Sequence, residues 1–321
     1  MLILDDKNTT GPAIRLNSAD NVSIALSEIS SGTALPNTNI VTREIIPPGY
    51  KIAIDDIPKG DPIKKYNVTI GFAKNNILAG TMLHNHNIEF KEFDRDYAYT
   101  KEFKPLELLP ANQRATFEGF LRSNGAAGTR NFIAIVSTVN CSATVVHAIA
   151  DHFTKDRMAE YPNVDGVAAF SHHTGCGMEL TGEPMDLLHR TLAGYIRHPN
   201  VASSLVVGLV CELCQVGGLF ESEKLTAGPN LRTLVMQESG GTRQTISDGI
   251  AIVEELLKEA NTCSRQTLPA SHIMVGLQCG GSDGFSSITA NPALGKAIDI
   301  LSKHGGTGIP VSYTHLTLPT I

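Results

Sequence analysis

Four of the six cysteines in this 321-residue chain follow apolar runs. Cys141 lies two residues beyond Phe132–Val139. Cys176 ends Ser171-His-His-Thr-Gly-Cys176 after Val164–Phe170. Cys211, beside Glu212, follows Ser204–Leu209, and Cys279 opens Cys-Gly-Gly-Ser-Asp-Gly284 after Ile273–Leu277. Continuous apolar runs of this length are the mark of strands buried on both faces. In open α/β sheets the carboxyl ends of such strands are where ligands bind. The alternative is packing, because cysteine is also a small hydrophobe tolerated near core ends. Residues 279–284 form a glycine-rich turn with exposed N–H groups, which suits an anion such as a carboxylate. It lacks the lysine of a phosphate-binding loop, and no Gly-x-Gly-x-x-Gly follows the first strand, so nucleotide binding is disfavoured. Cys211 and Cys214 make one Cys-x-x-Cys. A zinc ribbon needs a second pair, and a thioredoxin-like role fits poorly with Glu212 between them. Elsewhere, His84-Asn85-His86 would turn two imidazoles to one face of a strand. That is a bidentate site for a metal or an anion, or else two solvated histidines.

The elements that must position these groups alternate. After the first strand, Val145, Val146, Ile149, Phe153 and Met158 recur at helical spacing. Pro184 opens a helix with Leu187, Leu188, Leu192 and Ile196 on one face. Leu231–Met236 reads as a fourth strand, and Ile246, Ile250, Val253 and Leu257 mark another helix. Asn291 caps a last helix that Gly305 terminates. Strands alternating with helices predict a parallel, doubly wound sheet of five strands.

The first ninety residues are different. Segments starting at Ile24, Ile52 and Phe72 share one pattern: apolar-Ala, then Ile, then Gly, then a closing apolar residue. Period-two alternation makes them short strands, and each glycine falls where a turn needs positive φ. They predict a small all-β module over 12–90, followed by a charged, proline-bearing linker over 91–115.

Composition narrows the function. Apolar residues are 42% and charged residues 18%, and 26 basic against 32 acidic side chains leave a net charge of −6. No basic stripe stands out, which argues against nucleic acid and anionic membrane partners. No apolar stretch is long enough to span a bilayer. The start of the chain lacks the basic and apolar regions of a signal peptide. The cysteines are therefore expected to be reduced thiols in the cytoplasm.

These motifs carry a resemblance. The N-terminal module resembles the SAF, or β-clip, domain of sugar-acid dehydratases. Five later stretches are similar to the altronate/galactarate dehydratase family: Gly128-Thr-Arg-Asn131, Thr138-Val-Asn-Cys141, His172-His-Thr-Gly-Cys176, Gly208-Leu-Val-Cys-Glu212 with Gln215, and Gly276–Asp283 followed by Ile288-Thr-Ala-Asn-Pro292. The resemblance implies an α+β multidomain chain: the β module, then an α/β parallel-sheet (Rossmann-like) domain over 116–310, incomplete at its C-terminus. It also implies an iron-dependent hydro-lyase and a homodimer. His84-Asn-His86 is similar to the altronate branch. D-altronate going to 2-keto-3-deoxy-D-gluconate is thus the expected reaction, with galactarate or a non-catalytic sugar-acid-binding fragment as alternatives.

In this reading Fe(2+), with Mn(2+) as its substitute, draws ligands from His84, His86, Cys141, Cys176, Cys211 and Cys279. Glu212 and His172 are the candidate acid and base. Arg130, Asn131, Gly280, Gly281, Ser282 and Asp283 hold the substrate. Two departures stand out. Val210 replaces the usual glycine of Gly-Leu-x-Cys, which would crowd Cys211. The resemblance also stops near Thr307, so 311–321 is expected to be a poorly ordered tail that does not belong to the family.

Overall fold

The computed structural model describes residues 11–36, 38–93, 104–278 and 285–310. The chain divides into two units. One gathers the residues up to Leu106 with Gly276–Ile300, and the other Glu107–Val275 with Leu301–Ile309. The expected tail and the glycine-rich turn at 279–284 lie outside the described residues.

The first unit is built from the repeat. Its strands are β1 (Ala13–Ile14), β2 (Val22–Ala25), β3 (Lys51–Ala53), β4 (Pro62–Lys65), β5 (Val68–Ala73), β6 (Met82–Leu83) and β7 (Ile88–Glu89). They form two antiparallel sheets, β1-β2-β3-β6 and β4-β5-β7. Equivalent positions of the three repeats do the same work. Ala25, Ala53 and Ala73 are fully buried, and so nearly are Ile29, Ile57 and Ile77. Gly32, Gly60 and Gly80 turn at φ +79°, +88° and +86°. At Gly80 a Cβ would stand 2.1 Å from the Val41 carbonyl oxygen, so close backbone approach enforces glycine there as well.

The second unit carries the parallel sheet. Its elements begin with β8 (Thr116–Leu121), β9 (Ala127–Gly128), β10 (Phe132–Ser137), α1 (Ala143–His152), α2 (Lys155–Met158), β11 (Gly166–Phe170), α3 (Glu183–Ile196) and β12 (Val201–Gly208). They continue with α4 (Val216–Ser222), β13 (Leu231–Val235), α5 (Thr242–Ala260) and β14 (Gln266–Pro269). Strands β11-β10-β12-β13 pair in parallel in that order. Both faces are covered, as the apolar runs require. Ile133 and Ile135 of β10 pack with α1 and α5, where Val145, Val146, Ile149, Val253, Leu256 and Leu257 are buried. The alternate residues Ala134 and Val136 pack with Met185, Leu188 and Leu192 of α3 and Leu219 of α4.

The fifth strand departs from expectation. Met274–Leu277 (β15) does not extend the parallel sheet. It pairs with Thr307–Pro310 (β16), which follows the helix α6 (Ala290–Lys303), as a separate two-stranded sheet. Between α5 and β15 the chain first forms β14, which pairs antiparallel with β8 in a separate three-stranded sheet with β9. The β15 run is correspondingly exposed, Met274 at 66%. Asn291 lies within α6 rather than at its cap. The last part of the expected linker is ordered: Leu109 N–H donates to the Lys303 carbonyl, and Ala115 N–H to His304 Nδ1.

Candidate functional site at the carboxyl edge of the parallel sheet

The loops that leave β11, β10 and β12 are neighbours because their strands are. Each carries one exposed cysteine: Cys176, Cys141 and Cys211. Gly175 knits the three loops together. Its carbonyl accepts N–H bonds from Leu213 and Cys214 at 3.0 and 3.2 Å, and Asn140 N–H reaches the Thr174 carbonyl at 3.0 Å. Gly175 lies at φ +93°, with room for no side chain: a Cβ would meet the Thr138 carbonyl oxygen at 2.2 Å. This glycine is required by conformation and by space alike.

Glu212 is buried, and its carboxylate is taken up by its own loop. Oε1 accepts the Leu209 N–H at 2.9 Å and the Thr138 hydroxyl at 3.2 Å, and Oε2 accepts the Val210 N–H at 2.6 Å. Burial pushes its pKa up, but the backbone N–H groups and the Thr138 hydroxyl outweigh that, and the group titrates below the usual 4.5. His172 is similarly committed. Nε2 faces the Ser137 carbonyl at 3.1 Å, and Nδ1 accepts the Thr174 N–H at 3.2 Å. Burial lowers its pKa, the Ser137 bond raises it, and neighbouring His173 lowers it again; the net is below 6.5. Its ring is therefore neutral, protonated at Nε2.

The other expected site residues are dispersed. Arg130 and Asn131 precede β10, at the opposite end of the strand from Cys141. A strand of six residues separates the two ends, about 20 Å at ~3.3 Å per residue. Asn131 is fully buried and binds Asn163 O, Ala260 O and Arg122, and Arg130 pairs with Asp165 at 3.2 Å. They brace the amino-terminal edge and do not meet the thiols.

His84 and His86 are not on a strand. Residues 84–87 form a turn between β6 and β7. The buried Asn87 side chain accepts the His84 N–H and donates to the Met82 carbonyl, which closes that turn. The two imidazoles are exposed, and the shared-face geometry expected of a strand is absent. Cys279, Gly280, Gly281, Ser282 and Asp283 lie outside the described residues. Among the described residues, no three His, Cys, Asp or Glu side chains gather into a metal-holding group. The expected ligand set is thus not assembled there.

Two features escaped sequence reading. Cys214 is fully buried among Met185, Leu188 and Leu219, and burial, with Glu212 nearby, pushes its thiol up to about 12. This makes Cys211-x-x-Cys214 one exposed thiol and one core residue. His173, exposed beside Cys176, and His147, whose Nε2 lies 2.9 Å from the Ser171 hydroxyl, add imidazoles at this edge.

The fold defines an α/β protein with a parallel sheet in a chain that also carries a small β module; in sheets of this kind ligands bind at the carboxyl ends of the strands. Residues 12–91 match the altronate/galactarate dehydratase SAF domain. Residues 119–261 match the second domain of D-galactarate dehydratase/altronate hydrolase, and residues 270–315 match the C-terminal domain of that family. The chain is 34% identical over 299 residues to the altronate dehydratase of Bacillus subtilis (strain 168), covering 92% of this chain and 59% of that protein. It is 33% identical over 300 residues to the altronate dehydratase of Escherichia coli (strain K12), again 92% and 59%. Against the galactarate dehydratase (L-threo-forming) of the latter organism it is 33% identical over 302 residues, 92% and 58%. The chain belongs to the altronate/galactarate dehydratase family, and spans about 59% of the length of its altronate dehydratase relatives. The family match runs to residue 315, past Thr307, where the resemblance was expected to end. No helix among the described residues is long and apolar enough to cross a membrane.

Proposed function

We propose that this chain serves the dehydration of a sugar acid, D-altronate to 2-keto-3-deoxy-D-gluconate, with galactarate as the second substrate to test. The observation that carries the reading is the knitting of three motif loops by Gly175, His172 and Glu212. It brings Cys141, Cys176 and Cys211 to the edge of one sheet, in a chain that matches such dehydratases over 92% of its length.

In the reaction a proton leaves C2, beside the carboxylate, and hydroxide leaves C3. The enol that remains becomes the 2-keto-3-deoxy acid, and water is released. The C2 proton is weakly acidic, so the enediolate needs electrostatic stabilisation. Fe(2+), or Mn(2+) in its place, would supply a Lewis acid if bound, and the exposed thiols of Cys141, Cys176 and Cys211 are the described groups at this edge that would contribute to holding it. Glu212 and His172, expected as acid and base, act here as positioning groups, because hydrogen bonds to the loops occupy the carboxylate and both ring nitrogens. Proton transfer then falls to exposed groups on the same loops, His173 first among them. The reading places the protein in the cytoplasm, as a homodimer.

The test is to incubate the chain anaerobically with Fe(2+), a thiol reductant, and altronate or galactarate, and to measure 2-keto acid as its semicarbazone. Product from altronate, reduced at least tenfold in Cys141→Ala and in Cys211→Ala, is expected. Substrate binding without turnover would instead favour the sugar-acid-binding reading. A thiol-redox protein is disfavoured by the buried Cys214.

A further inference from the structure

The first unit holds a cationic cluster that the proposed reaction does not use. Lys51 of β3 stands opposite Ile24 of β2 and Leu83 of β6. Residues directly opposed in antiparallel strands share a face. On this face Ile24 packs with Ile14 and Leu16 against Tyr66 and Ile288, and Leu83 is buried. Lys51 therefore stands on the core-facing side of an inner strand, where burial lowers its pKa.

Lys65 ends β4. Its Nζ donates to the Ser287 hydroxyl at 2.8 Å, and the Tyr66 hydroxyl donates to the Ser287 carbonyl at 2.5 Å. Burial lowers the Lys65 pKa, and the charge of Lys51 lowers it further; Asp20 opposes both. Asp20 is buried, and its carboxylate is already engaged: Oδ2 accepts the Asn17 N–H and Oδ1 the Asn67 N–H. It offsets one of the two cations and is tied to the backbone.

The turn that sets this geometry is strained. Tyr66 and Asn67 lie at φ +56° and +57°, the two central residues between β4 and β5. Such turns favour glycine and asparagine. A tyrosine there is held by the Asp20–Asn67 bond and by its own reach to Ser287. The fold spends strain to put Tyr66, Lys65 and Ser287 together next to Lys51.

We propose that Lys51, Lys65, Tyr66 and Ser287 form a binding site for the carboxylate of a small polyhydroxy acid on the β module. Two half-buried ammonium groups, with one engaged acid acting on Lys65, carry an excess of positive charge that a bound anion neutralises. A carboxylate offers one oxygen to each ammonium, and the hydroxyls of Ser287 and Tyr66 suit a polyhydroxy chain. The site stands apart from the dehydratase reading, and its test reads binding alone.

The experiment uses the full chain, with D-gluconate as probe and D-glucitol and inorganic phosphate as controls. Lysines are acetylated briefly at pH 8 with and without probe, and each site is quantified by mass spectrometry. Gluconate should slow acetylation of Lys51 and Lys65 at least fivefold while leaving Lys155 and Lys258 unchanged, and glucitol should protect neither. In calorimetry, Lys51→Met and Lys65→Met should each weaken gluconate binding at least tenfold, and Lys65→Arg should retain most of it. Unprotected Lys51 and Lys65 in the wild-type chain would overturn the site, whether or not the variants fold. Equal protection by phosphate would overturn the carboxylate assignment.

Discussion

Glu212 accepts the N–H of Val210 at 2.6 Å while Val210 lies at φ +133°. A β-branched residue is strained at such an angle, typically by about 1–3 kcal/mol. The strained peptide is held from both sides, because the Gln215 side-chain amide donates to the Val210 carbonyl. The buried carboxylate and Gln215 together fix the backbone just before Cys211.

Val210→Gly should therefore stabilise the second unit by about 1–2 kcal/mol, since glycine adopts this angle freely. Thermal unfolding of the variant checks it, and an unchanged or lower midpoint would mean that the loop relaxes in solution. Glu212→Gln should cost about 1–3 kcal/mol by setting an amide against N–H donors. The cost should shrink in the Val210→Gly background, because the two residues share one constraint.

Gly175 and Gly217 should respond oppositely to alanine. At Gly175 a Cβ would enter the backbone of Thr138 and Val139, at 2.2 and 2.8 Å, and φ is +93°. Gly175→Ala should lose more than about 2 kcal/mol and expose the three cysteine loops to proteolysis. Gly217, in α4, has nothing within 4 Å of a built Cβ. Gly217→Ala should gain about 0.5–1 kcal/mol from helix propensity. Equal denaturant midpoints for the two variants would contradict this contrast.

Stability should fall on mild acidification. His172 and His189 both titrate below 6.5 in the folded chain, chiefly through burial. Their contribution is complete above pH 6.5, where folded and unfolded forms are both neutral. Below it the unfolded chain binds protons first, so stability declines until the folded pKa values are passed. Glu212, depressed below 4.5, adds a second loss at lower pH. Melting temperature measured from pH 8 to about 2 should drop in these two stages. In a His172→Gln, His189→Gln double variant the first stage should be shallower, and an undiminished first drop would exclude these imidazoles as its cause.

Thiol labelling should separate Cys211 from Cys214. With a thiol pKa near 12 and no exposure, Cys214 should resist iodoacetamide at pH 8. The exposed Cys141, Cys176 and Cys211 should react in the native chain. Fast labelling of Cys214, or a Cys211–Cys214 disulfide under mild oxidation, would revive the redox reading.

Short-range pattern determined much of this protein. Continuous apolar runs at Phe132–Val139 and Ser204–Leu209 specify strands with two buried faces, and the three aligned glycines specify turns, because both signals are local and repeat. The placement of Cys141, Cys176 and Cys211 at strand ends followed from the same runs, and the family from ordered motifs. Tertiary structure decided what those groups are free to do. Glu212 and His172 look like an acid and a base in one dimension, but neighbouring backbone N–H and C=O groups, brought in by adjacent strands, claim their polar atoms. Asn87 turned the expected His84–His86 strand into a closed turn, and β15 pairs with β16 instead of joining the parallel sheet. The Lys51, Lys65 and Ser287 cluster joins residues 222 apart at its widest hydrogen bond. No spacing rule spans that distance, because Ser287 lies in the turn before α6 and reaches Lys65 only through tertiary packing.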